Sequence, residues 1–115
     1  MIKKTKFKNL IFIKNISYKD KRGYFKELLR EKKLNIKFPF KVMSFSKKNV
    51  IRGLHLQTKN SQGKFVSVLK GKIFDVVVDL RKSSRTYGKT LTSILSEKNA
   101  TSIYVPPGFA HGLCG

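Results

Sequence analysis

Cysteine occurs once, tryptophan not at all and proline three times in this 115-residue chain. A lone Cys114 can neither close an internal disulfide nor build a multi-cysteine zinc site, so the sequence predicts a reducing, cytoplasmic setting. No apolar run approaches the ~20 residues that a membrane-spanning helix needs, and the Leu10–Ile13 cluster is too short for the core of a secretion signal. Neither membrane insertion nor export is expected. Histidine is sparse too: His55 and His111 are the only imidazoles, with no His-x-His pair or adjacent carboxylate to complete a ligand set, and no metal site is expected. Also missing are a Gly-x-Gly-x-x-Gly or Walker-type loop, a Cys-x-x-Cys pair and a nucleophile elbow around a serine, which excludes Rossmann and P-loop chemistry. No Pro/Gly/Ser-rich linker, repeat or low-complexity tract divides the chain, so residues 1–115 read as one unit.

Acids are the scarcest charged type. Six Asp and Glu face 26 Lys and Arg, giving a formal net charge of +20 and a pI near 10.4. That balance points to an anionic partner. Yet the 21 lysines run from Lys3 to Lys98 without clustering, and arginine, whose planar fork clamps phosphates and reads bases, occurs only five times. The pattern reads as a solvated surface as readily as a binding patch, and nucleic acid is disfavoured as the partner. A field of this sign still draws in any phosphorylated metabolite.

What is present is β-forming. Segments rich in Val, Ile, Phe and Thr recur between short turn signals, the pattern of an all-β sandwich or barrel. Strands are expected near Leu10–Lys14, Gly23–Leu29, Lys41–Ser46, Ile51–Gln57, Lys64–Leu69, Lys72–Leu80, Thr90–Leu95 and Ser102–Val105, with a hairpin turn at Lys70-Gly71-Lys72. A helical turn is expected only within Glu27–Leu34. In the clearest strand, Phe74, Val76, Val78 and Leu80 share one apolar face, expected to be buried, and Ile73, Asp75, Val77 and Asp79 share the other.

Three places can carry chemistry. In Arg52-Gly53-Leu54-His55-Leu56-Gln57, strict alternation sends Arg52, Leu54 and Leu56 one way and Gly53, His55 and Gln57 the other. Ser61-Gln62-Gly63-Lys64-Phe65 opens the next strand and sets an amine at the mouth of a sheet, where it can stabilise negative charge. Two prolines and a glycine in Tyr104-Val105-Pro106-Pro107-Gly108-Phe109-Ala110-His111-Gly112 make a rigid turn that delivers His111. Alone, each has an ordinary alternative: a satisfied core histidine, one more surface lysine, a turn with an incidental histidine.

Asp20-Lys21-Arg22-Gly23-Tyr24-Phe25-Lys26-Glu27, Val50 to Gln57, Gln62 to Val66, Gly71 to Arg81 and Tyr104 to Gly112 fall in one order along most of the chain. In that order the sequence resembles the dTDP-4-dehydrorhamnose 3,5-epimerase family of cupin-type jelly rolls, also described as double-stranded β-helix barrels. The resemblance implies a cofactor-independent isomerase acting on dTDP-4-dehydro-6-deoxy-D-glucose in deoxysugar synthesis. It implies His55 as the base that removes protons beside a C4 ketone, and Lys64 as the group at the ketone oxygen. Arg52 would grip the diphosphate and His111 the sugar, while Arg22, Glu27 and Phe25 would reach the nucleotide, with a homodimer supplying them from a partner subunit. Two departures stand out. Phe40-Lys41-Val42 replaces the family's Gln-x-Asn element, and the family's tyrosine acid and histidine-orienting carboxylate fall after Gly115, so the sequence reads as the N-terminal part of such a domain. Two other readings follow from these departures: a related cupin-type 3,4-ketoisomerase on the same nucleotide sugar, and a non-catalytic fragment that binds a nucleotide sugar or nucleic acid.

Overall fold

Short β-branched and aromatic runs separated by Gly, Asn and Pro leave little room for helix, and the computed structural model, which describes residues 1–55 and 62–115, is built almost wholly of strands. In chain order these are β1 (Ile2–Lys4), β2 (Ile11–Lys14), β3 (Ser17–Asp20), β4 (Gly23–Lys26), a single helical turn α1 (Glu31–Leu34), β5 (Ile51–His55), β6 (Lys64–Val66), β7 (Lys72–Asp79), β8 (Thr90–Ser96), β9 (Thr101–Val105) and β10 (Phe109–Cys114). One antiparallel sheet has the order β1-β2-β9-β6, a second has β5-β10-β7-β8, and β3 with β4 forms a separate hairpin. The steps from β6 to β7, from β8 to β9 and from β9 to β10 each change sheet, as jelly-roll connections do. The expected all-β class is borne out.

The core lies between the two sheets. Phe7, Leu10, Val77, Leu95, Ile103, Val105 and Phe109 are each at most 6% exposed and pack as one cluster. Fully burying side chains of this size stabilises by roughly 1.5–3 kcal/mol each.

Several expectations change. No strand forms over Lys41–Ser46, where Val42, Met43 and Phe45 are 79% to 85% exposed. The turn at Gly71 exists, with φ of 81°, but β6 and β7 lie in different sheets, so it is a crossover and not a hairpin. The helical turn covers only Glu31–Leu34, buries no residue and ends where Asn35 turns left-handed, as expected for a helix with no packed face. His111 sits on strand β10 and not on a loop after the prolines. Leu56, Gln57 and Ser61 lie outside the described residues.

The largest inversion is on β7. Its buried face carries Asp75, Val77 and Asp79, at 1%, 0% and 0% exposure, while Phe74 on the all-apolar face is 47% exposed. Hydrophobicity alone picks the wrong face because both aspartates find partners where they lie, Asp75 through one oxygen and Asp79 through both. Asp79 accepts hydrogen bonds from the Arg81 amide at 3.0 Å, from Arg81 Nε and Nη2 at 3.0 and 3.1 Å, from Ser84 Oγ at 2.5 Å and from Thr86 Oγ1. Arg81 also donates through Nη1 to the Lys8 carbonyl at 2.7 Å, and its guanidinium stands 4.6 Å from the centre of the Phe109 ring. One carboxylate thereby ties β7, the turn after it, the segment before β2 and the start of β10.

Burial pushes the Asp79 carboxyl up, but the bonds from Arg81, Ser84 and Thr86 together outweigh it and hold the group well below the usual carboxylate range. Its folded-state value is thus lower than its unfolded value of ~3.9. The stability it contributes is present above that pH and is lost as pH falls through the folded value. Asp79→Asn is expected to lower unfolding free energy at neutral pH by about 3 kcal/mol, because it leaves the Arg81 charge without its partner. It should also remove part of the stability loss that the parent shows below about pH 4. Urea melts at pH 7 and across pH 2–5, an estimated range set by those carboxylate values, check both.

Candidate active site

Strand β5 is led in by a turn, with Asn49 left-handed at φ of 67° and the Val50 amide donating to the Lys47 carbonyl. Its pairing with β10 then sets Ile51 opposite Cys114, Arg52 opposite Leu113 and His55 opposite His111. Only Gly112 lies between His111 and Leu113, whereas Gly53 and Leu54 lie between Arg52 and His55. β5 therefore carries a bulge of one extra residue. Directly opposed residues of an antiparallel pair share a face. Arg52 and His55 are thus both turned to the face that carries His111 and Leu113, which corrects the strict alternation expected from sequence.

That face looks between the sheets. On β10 it continues to Phe109 in the core, and on β7 His111 is paired with Val77 and Leu113 with Asp75. Asp75 and His111 are diagonal neighbours, and His111 Nε2 lies 2.6 Å from Asp75 Oδ1, with the residues 1% and 8% exposed. In the neutral ring this contact places the proton on Nε2, so that Nε2 donates to the carboxylate and Nδ1 is left as an acceptor. The second oxygen, Oδ2, is buried and has no hydrogen-bond partner among the described residues. Asp75 was missed as a site residue because its partner is 36 positions away in sequence. The readable signal was a charged residue alternating with valines inside the longest strand.

Lys64 comes from the facing sheet. It starts β6, opposite Val105, whose side chain is in the core, and so it shares the interior-directed face while remaining exposed at the strand's end. By register, Arg52, His55, His111 and Asp75 share the inward face of one sheet, and Lys64 stands on the inward face of the other. His55 itself is exposed. Arg52 donates from Nε to Ser46 Oγ at 2.8 Å and from Nη2 to the Phe45 carbonyl at 3.4 Å, tying β5 to the irregular stretch that carries Phe40-Lys41-Val42. Among the described residues no group of three or more His, Cys, Asp or Glu is arranged to hold a metal ion.

Arg22, Phe25 and Glu27 are elsewhere. Arg22 closes the β3–β4 hairpin by donating through its amide and Nη2 to Asp20, both at 2.8 Å, and Glu27 is paired with Arg30. Phe25 is 69% exposed on the hairpin. The hairpin is fastened by Lys26 Nζ to the Glu97 carbonyl at 2.7 Å and by Tyr24 to the Glu97 carboxylate at 3.4 Å. Glu97 follows β8, at the sheet edge opposite β5. Among the described residues no hydrogen bond or ion pair joins Arg22, Phe25 or Glu27 to β5, β10 or Lys64.

The charge distribution is one-sided. Asp20 is engaged by Arg22, Glu27 by Arg30, Glu31 by the Phe38 amide, Asp75 by His111, Asp79 by Arg81 and Glu97 by the Gly71 amide. These are all the acids of the chain. No lysine forms an ion pair among the described residues.

The family model for dTDP-4-dehydrorhamnose 3,5-epimerase matches residues 4–115. A relative of that name from Methanothermobacter thermautotrophicus is 44% identical over 114 residues, covering 95% of this chain and 62% of its own length. The crystal structure of the dTDP-6-deoxy-D-glucose-3,5-epimerase of Legionella pneumophila in complex with dTDP-4-keto-L-rhamnose superposes with a TM-score of 0.87 at 42% identity, over 99% of this chain and 64% of that one. That of the Bacillus anthracis dTDP-4-dehydrorhamnose 3,5-epimerase with TDP and PPi bound gives 0.87 at 37% identity, over 99% and 69%. The chain therefore spans a little under two thirds of the length of the Methanothermobacter relative. With the sheet order, the ordered blocks and these matches in agreement, the chain belongs to the dTDP-4-dehydrorhamnose 3,5-epimerase family.

Proposed function

We propose that this chain carries the substrate-binding and proton-abstracting half of a cofactor-independent epimerase that converts dTDP-4-dehydro-6-deoxy-D-glucose to dTDP-4-dehydro-L-rhamnose. The observation that supports this best is the register of β5 against β10, in which His55 stands opposite a His111 that a buried Asp75 holds. A proton beside a ketone becomes removable when the enolate it leaves is stabilised. His55, exposed and free of a carboxylate partner among the described residues, is the base that takes the proton from C3 or C5. Lys64, entering from the other sheet, lies by the C4 oxygen and meets the negative charge that develops there. Electrons from the broken C–H bond move into the ring and onto that oxygen. They return when a general acid protonates the carbon on its opposite face, which inverts the centre.

Arg52 holds the diphosphate, and His111, fixed by Asp75, donates or accepts at a sugar oxygen. The surplus of unpaired lysines concentrates the dianionic substrate around the molecule. Arg22, Phe25 and Glu27 stand apart from this group within one chain, and the exposed hairpin that carries them serves the nucleotide site of a second copy in a homodimer. The chemistry belongs in the cytoplasm, where nucleotide sugars are made.

Deuterium uptake from heavy water into the sugar, followed by NMR with the full-length natural polypeptide, tests the reading. Label at both C3 and C5 is expected. Label at C3 alone points instead to a single-centre enzyme or a ketoisomerase, and no label from folded protein overturns catalysis altogether. His55→Ala is expected to lower exchange by at least ~100-fold, the scale of a general base, while dTDP affinity changes little. Arg52→Ala should instead weaken binding, raising KM by about tenfold or more, as loss of a charge-assisted fork of ~1.5–3 kcal/mol implies.

A further inference from the structure

The Arg-Gly-Leu-His segment draws attention to Gly53, but the glycine that the geometry requires is on the neighbouring strand. A Cβ on Gly53 would meet nothing within 4 Å among the described residues. A Cβ on Gly112 would lie 3.0 Å from the Arg52 carbonyl oxygen, 3.2 Å from the Leu54 nitrogen and 3.4 Å from the Leu54 Cα. All three are backbone atoms of the bulge, which a flexible side chain's movement cannot clear. Gly112 is also the one residue that faces the two extra-length residues Gly53 and Leu54. Its own φ lies outside the left-handed range. The demand is therefore for close approach of two backbones and not for an unusual conformation.

We infer that Gly112 is a positioning residue: by letting β10 close onto the bulge of β5, it turns Arg52 and His55, three residues apart, onto the same face and so brings anchor and base to one substrate. This rests on the roles proposed above for those two residues. Without the bulge, alternation would send one of them to the outside of the sheet. A side chain at 112 makes the β5 backbone give by at least a few tenths of an ångström or slip by one residue. A misplacement that grows to about 1 Å at a base costs on the order of 100-fold in rate.

The test compares Gly112→Ala with Gly53→Ala in the full-length natural polypeptide. Gly112→Ala is expected to remain folded but lose ~30- to 100-fold in deuterium exchange, together with the NMR cross-peak between the backbones of His55 and His111. Gly53→Ala, whose methyl meets nothing within 4 Å among the described residues, is expected to keep exchange within about threefold and to keep the cross-peak. Should Gly112→Ala fail to fold, deletion of Gly53 in the same variant gives the alanine a regular partner. That double variant pairs Arg52 with Leu113, Leu54 with the alanine and His55 with His111, which keeps both site residues on one face, so it is expected to recover cooperative melting, the cross-peak and exchange. Wild-type exchange in folded Gly112→Ala, equal losses in the two alanine variants, or a double variant that folds with the cross-peak but without exchange would each overturn the inference. Absence of exchange in the parent protein would instead refute the epimerase reading, and the cross-peaks would still judge the role of Gly112.

Discussion

Two carboxylates buried on one face of β7 govern much of this molecule. Taking a charge out of water costs several kcal/mol unless cations and donors surround it, so each aspartate must recruit its own neighbourhood. Asp79 recruits Arg81, Ser84 and Thr86, and through Arg81 it reaches the segment before β2 and the aromatic ring that starts β10. Asp75 recruits His111. Because β7 pairs with both β8 and β10, whatever fixes β7 also fixes the strand against which β5 lies. The packing requirement and the chemical one are thus met by the same alternation. Val77, between the two acids, belongs to the core.

Much of this was legible in the sequence. Alternating β-branched runs revealed β7, β8 and β9 nearly to their ends, and the five ordered blocks pointed to a jelly roll of this family. The strands that escaped notice were those without that pattern: β1 and β3 are exposed throughout, and β10, Phe-Ala-His-Gly-Leu-Cys, has small residues on its outer face. The inverted face of β7 could not be read from hydrophobicity, since the partners that make burial tolerable are two to 36 residues away. The bulge was hidden for a different reason. It is a property of two strands in register, and Arg52-Gly53-Leu54-His55 alone contains no trace of the single residue opposite it.

Residues read as site groups divide into two sets with different supports. His111 and Lys64 rest on strands that share the core, while Arg52 and His55 are placed by the pairing of exposed β5 with β10. Arg22, Phe25 and Glu27 rest on a hairpin that touches the body through Glu97. The apolar surface of Tyr18, Tyr24 and Phe25, between 56% and 69% exposed, stays uncovered within one chain. The irregular stretch before β5, with its exposed phenylalanines, is similarly uncovered and is tied by Arg52 to the site's rim.

The engagement of every carboxylate by an internal partner has one more consequence. A surface on which lysines go unanswered makes two copies of the chain repel one another while each attracts a diphosphate. Added salt shortens the reach of both forces, to about 10 Å at 0.1 M and about 3 Å at 1 M. Attraction of such an anion and close approach of two copies must therefore respond to ionic strength in opposite directions, the first weakening as the second grows easier, so that the ionic medium sets a balance between the two.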